Sequence, residues 1–442
     1  MNPPKRHLRN AIIIFVISSF AAGIIFQEIV THLNSSLISN GGDGIKNYYT
    51  YLYQVQHGSG THFQGMNYPY GEHVIFTDNM PLLVWLVQGI GQWMPGATDY
   101  ALGIMHFLVL ISIPVGCVFM YKILIRFGIP AWLAGLCGII IVFSCQQYMK
   151  IEGHFGMAFM GYIPMMLYWL MLYDERRKII YPFLIFIFTL IFAFFHLYNL
   201  AISTVLIVFY SFSFFIIHFK KSFLRNLIHT LPIIISILVP TVIVKLFLSA
   251  TDQVTDRPDY PYGVFGGATE GKHIFLNPDA PMGNMLQFLF GPAEKAYGEG
   301  SVYLGLVSFG TFLFVLTCCI AWLVRPKKHS KALLTEVYEN NYSIWLLTGF
   351  FALLLGMGVP ISWGWDTLID HIATIRQFRT VGRFSWIFYF IFQIFVVLTL
   401  FRTYRYLISK DKKTLATVIT VTCIAISFIQ SFAIYNFFKK KS

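Results

Sequence analysis

The sequence predicts an all-α integral membrane protein with about eleven transmembrane helices and two long outer loops that carry short interfacial helices. Three observations lead there. Only 12% of the residues are charged and 56% are hydrophobic, whereas a soluble domain carries about 25% charged residues. Apolar runs recur along the whole chain, and the mean hydropathy is +0.64. Basic residues concentrate in every second segment between those runs. So few charges cannot coat 442 residues in water, and the bilayer must be the solvent for most of them. Residues 1–442 read as a single polytopic membrane domain with no separate soluble domain.

The predicted spans fall near 11–30, 100–122, 130–146, 157–173, 179–195, 198–218, 230–249, 302–324, 342–360, 384–401 and 414–435. Lys5, Arg6 and Arg9 precede the first. At about 20 residues that run exceeds a signal-peptide core and reads as a retained span. The stretch 80–94 is short for a crossing and reads as a helix lying in the interface, anchored by Trp85 and Trp93. With the N-terminus inside, the inner segments are 1–10, 122–129, 174–178, 219–229, 325–341 and 402–413. They hold about twenty Lys and Arg, against about eight in the outer loops, as the positive-inside rule requires. Lys439, Lys440 and Lys441 fall outside on this count and oppose the rule.

Several function classes drop out at this point. The net charge of +12 is spread over short loops, so topology explains it and nucleic acid does not. No Walker or G-x-G-x-x-G pattern predicts direct nucleotide use. The six cysteines lie in or beside apolar runs without metal-ligand spacing and read as small core residues. Lys245 sits close enough to a span end to snorkel.

Chemistry is expected in outer loops 31–99, 147–156, 250–301 and 361–383. Asn40-Gly41-Gly42-Asp43-Gly44 opens the first, where Asp43 is either a general base at the membrane surface or a helix N-cap. Tyr70, Glu72, His73 and Asp78 follow in a turn-rich stretch, as lining of a polar pocket or as a solvated loop. Glu152 and His154 flank Gly153 in the second loop. One Glu and one His are too few for a closed metal site, and His154 reads better as a partner of an anionic group. Arg376, Arg379 and Arg383 stand together on the outside. They suit a lipid phosphate, or they pair with Asp366 or Asp370, or with anionic lipid. Loop 250–301 mixes Tyr260 and Tyr262 with Asp252, Asp256 and Asp259, which suits a sugar or simply water. His196, Tyr198 and Asn199 read as satisfying the turn between two spans.

These segments resemble those of the GT-C superfamily of membrane glycosyltransferases. Gly41-Gly42-Asp43-Gly44 resembles the acidic site near the end of the first span. Glu152-Gly153-His154 resembles the second-loop motif of bacterial members. Arg379-Thr380-Val381-Gly382-Arg383-Phe384 resembles the Arg-x-x-x-Arg-Phe segment before a late span. The second outer loop lacks an Asp-x-Asp, which speaks against metal-dependent oligosaccharyl transfer, and no soluble domain is expected after the last span.

The resemblance implies a sugar donor carried on a polyprenyl phosphate and a glycan, lipid or protein acceptor, among membrane lipids and without nucleic acid. Asp43 would be the base. Arg379 and Arg383, with Arg376 and His154, would hold the donor phosphate. Glu72, Asp78, Glu152 and Tyr70 would line the acceptor and sugar pocket. No resident cofactor or metal is expected, a divalent cation being left open. The setting is the plasma (inner) membrane, with a cytoplasmic N-terminus and the active site on the outer face. A flippase or transporter of lipid-linked glycans, a polymerase or ligase using them, and a non-enzymatic assembly protein are the alternatives.

Overall fold

The computed structural model describes residues 4–39, 41–254, 265–292, 300–324, 342–365 and 379–439. Arg376, Asp366, Asp370 and the carboxylate-rich part of loop 250–301 around Tyr260 lie outside them.

The described residues are overwhelmingly helical. The first half runs α1 (Pro4–Ile25), α2 (Gln27–Thr31), α3 (Gly42–His57), α4 (Pro81–Trp93), α5 (Ala101–Arg126), α6 (Ala131–Ser144), α7 (Tyr162–Arg176) and α8 (Ile180–Ala193). The second runs α9 (Leu197–Ile217), α10 (Phe223–Thr251), α11 (Gln287–Phe290), α12 (Leu306–Val324), α13 (Tyr342–Gly356), α14 (Ser385–Ser409), α15 (Lys413–Gln430) and α16 (Ala433–Lys439). The only sheet among the described residues is a hairpin of β1 (His62–Phe63) and β2 (Glu72–His73), antiparallel, with His62 opposite His73.

Each of the predicted apolar runs is helical. Among the described residues, eight helical stretches are long and apolar enough to cross a membrane: 6–25, 95–126, 155–176, 197–217, 223–251, 306–324, 381–409 and 413–439. A ninth forms if α6 is joined to the 3-10 turn at 146–152, across a bend of 51°. α8 and α13 stop at 14 and 15 residues, below the about 17–25 that a crossing takes. The stretch 80–94 is helical as α4, with Pro81 in its first turn, where a missing N–H costs nothing.

Burial separates two kinds of helix. In the stretch 155–176, 94% of the most apolar part is buried, against 22% in 6–25 and 17% in 306–324. α1 turns Ile12, Ile13, Val16, Ile17 and Phe20 outward. A long helix with its apolar side chains exposed is stable only where lipid replaces water.

The chain divides into two compact units. One comprises Met1–Phe119, Gln147–Ile207 and Leu227–Pro258, and the other Met120–Gln146, Val208–Asn226 and Asp259–Ser442. Lipid tails are as apolar as leucine, so helices in each unit must be held by close packing and buried hydrogen bonds. In the first unit, a Cβ on Gly161 at the start of α7 would lie 2.9 Å from the Ser112 carbonyl oxygen and 3.1 Å from the Gly116 nitrogen of α5. Ser112 Oγ accepts the Met160 amide there at 3.1 Å. In the second unit, the buried hydroxyls of Tyr342 and Tyr389 donate to the carbonyls of Ile391 and Ile141, each at 2.7 Å.

Gly161→Leu should therefore overpack the α5–α7 contact by about 1–3 kcal/mol and lower the melting temperature of the solubilised protein by several degrees. Gly23→Leu on α1, where an added Cβ meets nothing within 4 Å, should leave it unchanged.

Candidate functional site

The site begins at the glycine-rich entry to α3. Gly41 is the N-cap residue, in extended conformation, and Gly42 takes φ +53, which favours glycine. Asp43 is thus not the N-cap. It lies inside the first turn, where the helix dipole favours a carboxylate, and its side chain stays 62% exposed. Gly44 lets another segment come close: a Cβ there would strike Ser39 and lie 2.6 Å from the Glu152 carbonyl oxygen. Gly153 answers from the other side, its would-be Cβ only 3.3 Å from the Gly44 nitrogen. Asn47, fully buried one turn along α3, fixes the approach by donating Nδ2 to the Gly153 carbonyl at 2.5 Å. The segment carrying Glu152, Gly153 and His154 is therefore docked on the first turn of α3.

Two further turns complete the site. Asp78 follows the 3-10 turn Val74–Phe76 and has φ 58, and Met80 has φ 54. Left-handed backbone costs a non-glycine residue about 1–2 kcal/mol, and such strain gathers at functional sites. His196 sits at the turn into α9. Gly156 packs against the Phe195 carbonyl with no room for a Cβ. Asn199 Nδ2 donates to the carbonyls of Gly156 (2.9 Å) and Phe192 (3.1 Å). The turns bearing His154 and His196 are thus tied to each other.

Together these segments make a linked charge cluster. Lys46 Nζ lies 3.2 Å from Asp78 Oδ2 and 3.8 Å from Asp43 Oδ1. His154 stands between the acids, Nε2 3.6 Å from Asp43 Oδ2 and Nδ1 3.5 Å from Asp78 Oδ2. His196 Nε2 is 3.0 Å from Asp78 Oδ1. Its Nδ1 accepts the Tyr198 amide at 3.1 Å, so in the neutral ring Nε2 carries the proton and donates to Asp78. Asp78 is only 21% exposed. Burial pushes its pKa up, but the hydrogen bonds and charges of His154 and His196 together outweigh burial and hold the carboxyl well below its ordinary value. Among the described residues, Asp78, His154 and His196 form a group whose ligand atoms lie within 4.8 Å of one another, close enough to share an ion.

The expected site residues are distributed unevenly. Asp43, His154 and Asp78 meet in the cluster. Glu152 is half-buried beside it and contributes its carbonyl to the contact with Gly44. Glu72 belongs to the hairpin, where Oε1 accepts the His73 amide at 2.8 Å and Oε2 accepts Asn67 Nδ2 at 3.4 Å. Tyr70 is 83% exposed at the hairpin turn. Arg379 is exposed and Arg383 buried at the 3-10 turn Val381–Phe384, both in the second unit. Sequence reasoning missed Lys46 and His196 as members. Lys46 had a usable signal, its i+3 spacing from Asp43; His196 had none beyond lying between two tight spans.

Fold and cluster define a polytopic membrane protein with a polar site gathered from separate interhelical segments. The chain belongs to a family described as a domain of unknown function (DUF6311), which matches residues 14–431. No curated protein matches it.

Gly156→Val should push the two histidine turns apart. Amide hydrogen exchange should then rise at least about tenfold at 154–157 and 194–199 through local opening, while exchange within α14 stays as in wild type.

Proposed function

We propose that this protein is a GT-C type glycosyltransferase that moves a sugar from a polyprenyl-phosphate donor to an acceptor hydroxyl at the outer membrane face. The observation that carries this reading is Asp43, an exposed carboxylate held between Lys46 and His154 by the glycine-mediated contact of α3 with the 152–154 segment. A base must reach solvent-borne substrate yet be fixed in direction, and Asp43 meets both conditions.

Asp43 takes the proton from the acceptor hydroxyl as its oxygen bonds to the anomeric carbon. The bond from that carbon to the phosphate oxygen breaks, and the polyprenyl phosphate leaves with the electron pair. Lys46 and His154 counter the negative charge at Asp43 before transfer, while Asp78 holds both from the buried side. Arg379 and Arg383 are the donor-phosphate groups in this reading, with Arg376 beside them in sequence. Glu72, Tyr70 and Glu152 remain acceptor-side candidates. The orientation follows from the distribution of Lys and Arg: N-terminus in the cytoplasm, α4 in the interface, and all eleven apolar runs crossing, α8 and α13 included.

Membranes expressing wild type, given labelled polyprenyl-phosphate sugars and a pool of envelope glycans and peptides, should transfer label. Asp43→Asn at equal protein level should transfer at least about 100-fold less, the scale of a lost general base. Equal transfer by the variant would leave Asp43 as a first-turn helix acid and remove this mechanism.

A further inference from the structure

We propose that Asp78, His154 and His196 bind a divalent transition-metal ion of the zinc or manganese type. The inference rests on the cluster's geometry and extends the transferase reading without depending on it.

The donor set comes first. Two imidazoles and one carboxylate make a three-ligand site, which leaves positions open for water or substrate oxygens. Imidazole nitrogens suit zinc, and the carboxylate oxygen with open positions for water suits manganese, whereas calcium and magnesium take all-oxygen shells. Metal bonds of about 2.1 Å place neighbouring ligand atoms about 3.0–3.4 Å apart. His196 Nε2 and Asp78 Oδ1 are 3.0 Å apart, and His154 Nδ1 and Asp78 Oδ2 are 3.5 Å apart. The three residues' ligand atoms already lie within 4.8 Å of one another, so a small inward shift closes the shell.

The surroundings suit a cation. With both histidines neutral, Asp43, Asp78 and Lys46 sum to one net negative charge. Once Nδ1 of His154 ligates the ion, its Nε2–H faces Asp43 Oδ2, now 3.6 Å away. That is the carboxylate–histidine–metal arrangement in which an outer acid sets the ring's tautomer and orientation. Beside Asp78, the amide of Asn79 is fully buried, and neither its Nδ2 nor its Oδ1 makes a hydrogen bond. A buried amide without a partner calls for an ordered water or a ligand group.

Two local changes accompany binding. His196 shifts its proton from Nε2 to Nδ1 and gives up the Tyr198 amide. Lys46, now 3.2 Å from Asp78, turns to Asp43. In the transferase reading, the ion would supply Lewis-acid binding of phosphate oxygens at its open positions.

Full-length, tag-free protein in nanodiscs, stripped with chelator and dialysed, is titrated with manganese chloride and read by electron paramagnetic resonance. Zinc chloride is followed in parallel by calorimetry. The expected result is about one ion per chain, with nitrogen modulation from two imidazoles in the manganese spin-echo spectrum. Asp78→Asn, His154→Gln and His196→Gln should each weaken binding at least about 100-fold, and His57→Gln at the far end of α3 should not. If a ligand variant misfolds, the nitrogen count in wild type decides the matter alone. Absence of stoichiometric binding, fewer than two coordinated imidazoles, or undiminished binding by folded His196→Gln overturns the site. Binding without sugar transfer supports the ion and counts only against the transferase. Transfer without binding overturns the ion and leaves the transferase standing.

Discussion

A carboxylate withdrawn from water must be compensated, and Asp78 is such a carboxylate. Its compensation comes from three places far apart in sequence: Lys46 on α3, His154 in the loop before α7, and His196 at the entry to α9. Without these segments together the carboxylate would lie uncompensated, which folded proteins avoid because burying an unpaired charge costs several kcal/mol. The convergence of these segments is thus an electrostatic requirement as much as a packing result. The left-handed backbone at Asp78 and Met80 is tolerated because the surrounding contacts leave the turn no relaxed alternative.

The approach is made possible by residues without side chains. Gly44 and Gly153 let two backbones meet, Gly156 does the same against Phe195, and Gly161 brings α7 onto α5. In a bilayer these contacts matter more than apolar bulk, because lipid offers leucine the same environment on either side of a helix. That explains why the most buried span, 155–176, starts in a stretch with two glycines, while α1 and α12 keep their large side chains for the lipid.

The helices were legible because hydropathy is a sum over many residues. Every apolar run yielded a helix, including the short α4. Length was less legible: α8 and α13 end within runs that composition alone extends, at Ala193 before the Phe194–His196 turn and at Gly356 before a glycine-rich bend. Asp43 was visible because glycines announce it; of its two readings, surface base or helix N-cap, the structure removes the cap, since Gly41 stands there. His154 was visible through its neighbours Glu152 and Gly153. Asp78 and His196 carried no such marker for each other, since their pairing spans more than a hundred residues and depends on the docking of Gly156 on Phe195. Glu72 and Tyr70 were marked by the same turn chemistry as Asp78; that chemistry built a hairpin in which Glu72 accepts the His73 amide and Asn67 Nδ2.

His154 presents one ring nitrogen to the exposed acid and the other to the buried one. A single aromatic ring therefore touches both the solvent-facing acid and the largely buried one. Lys46 makes the same link beside it, 3.8 Å from Asp43 Oδ1 and 3.2 Å from Asp78 Oδ2. The exposed acid and the buried one thus share two partners, an imidazole and an ammonium, so that a substitution at Asp43 reaches Asp78 through both.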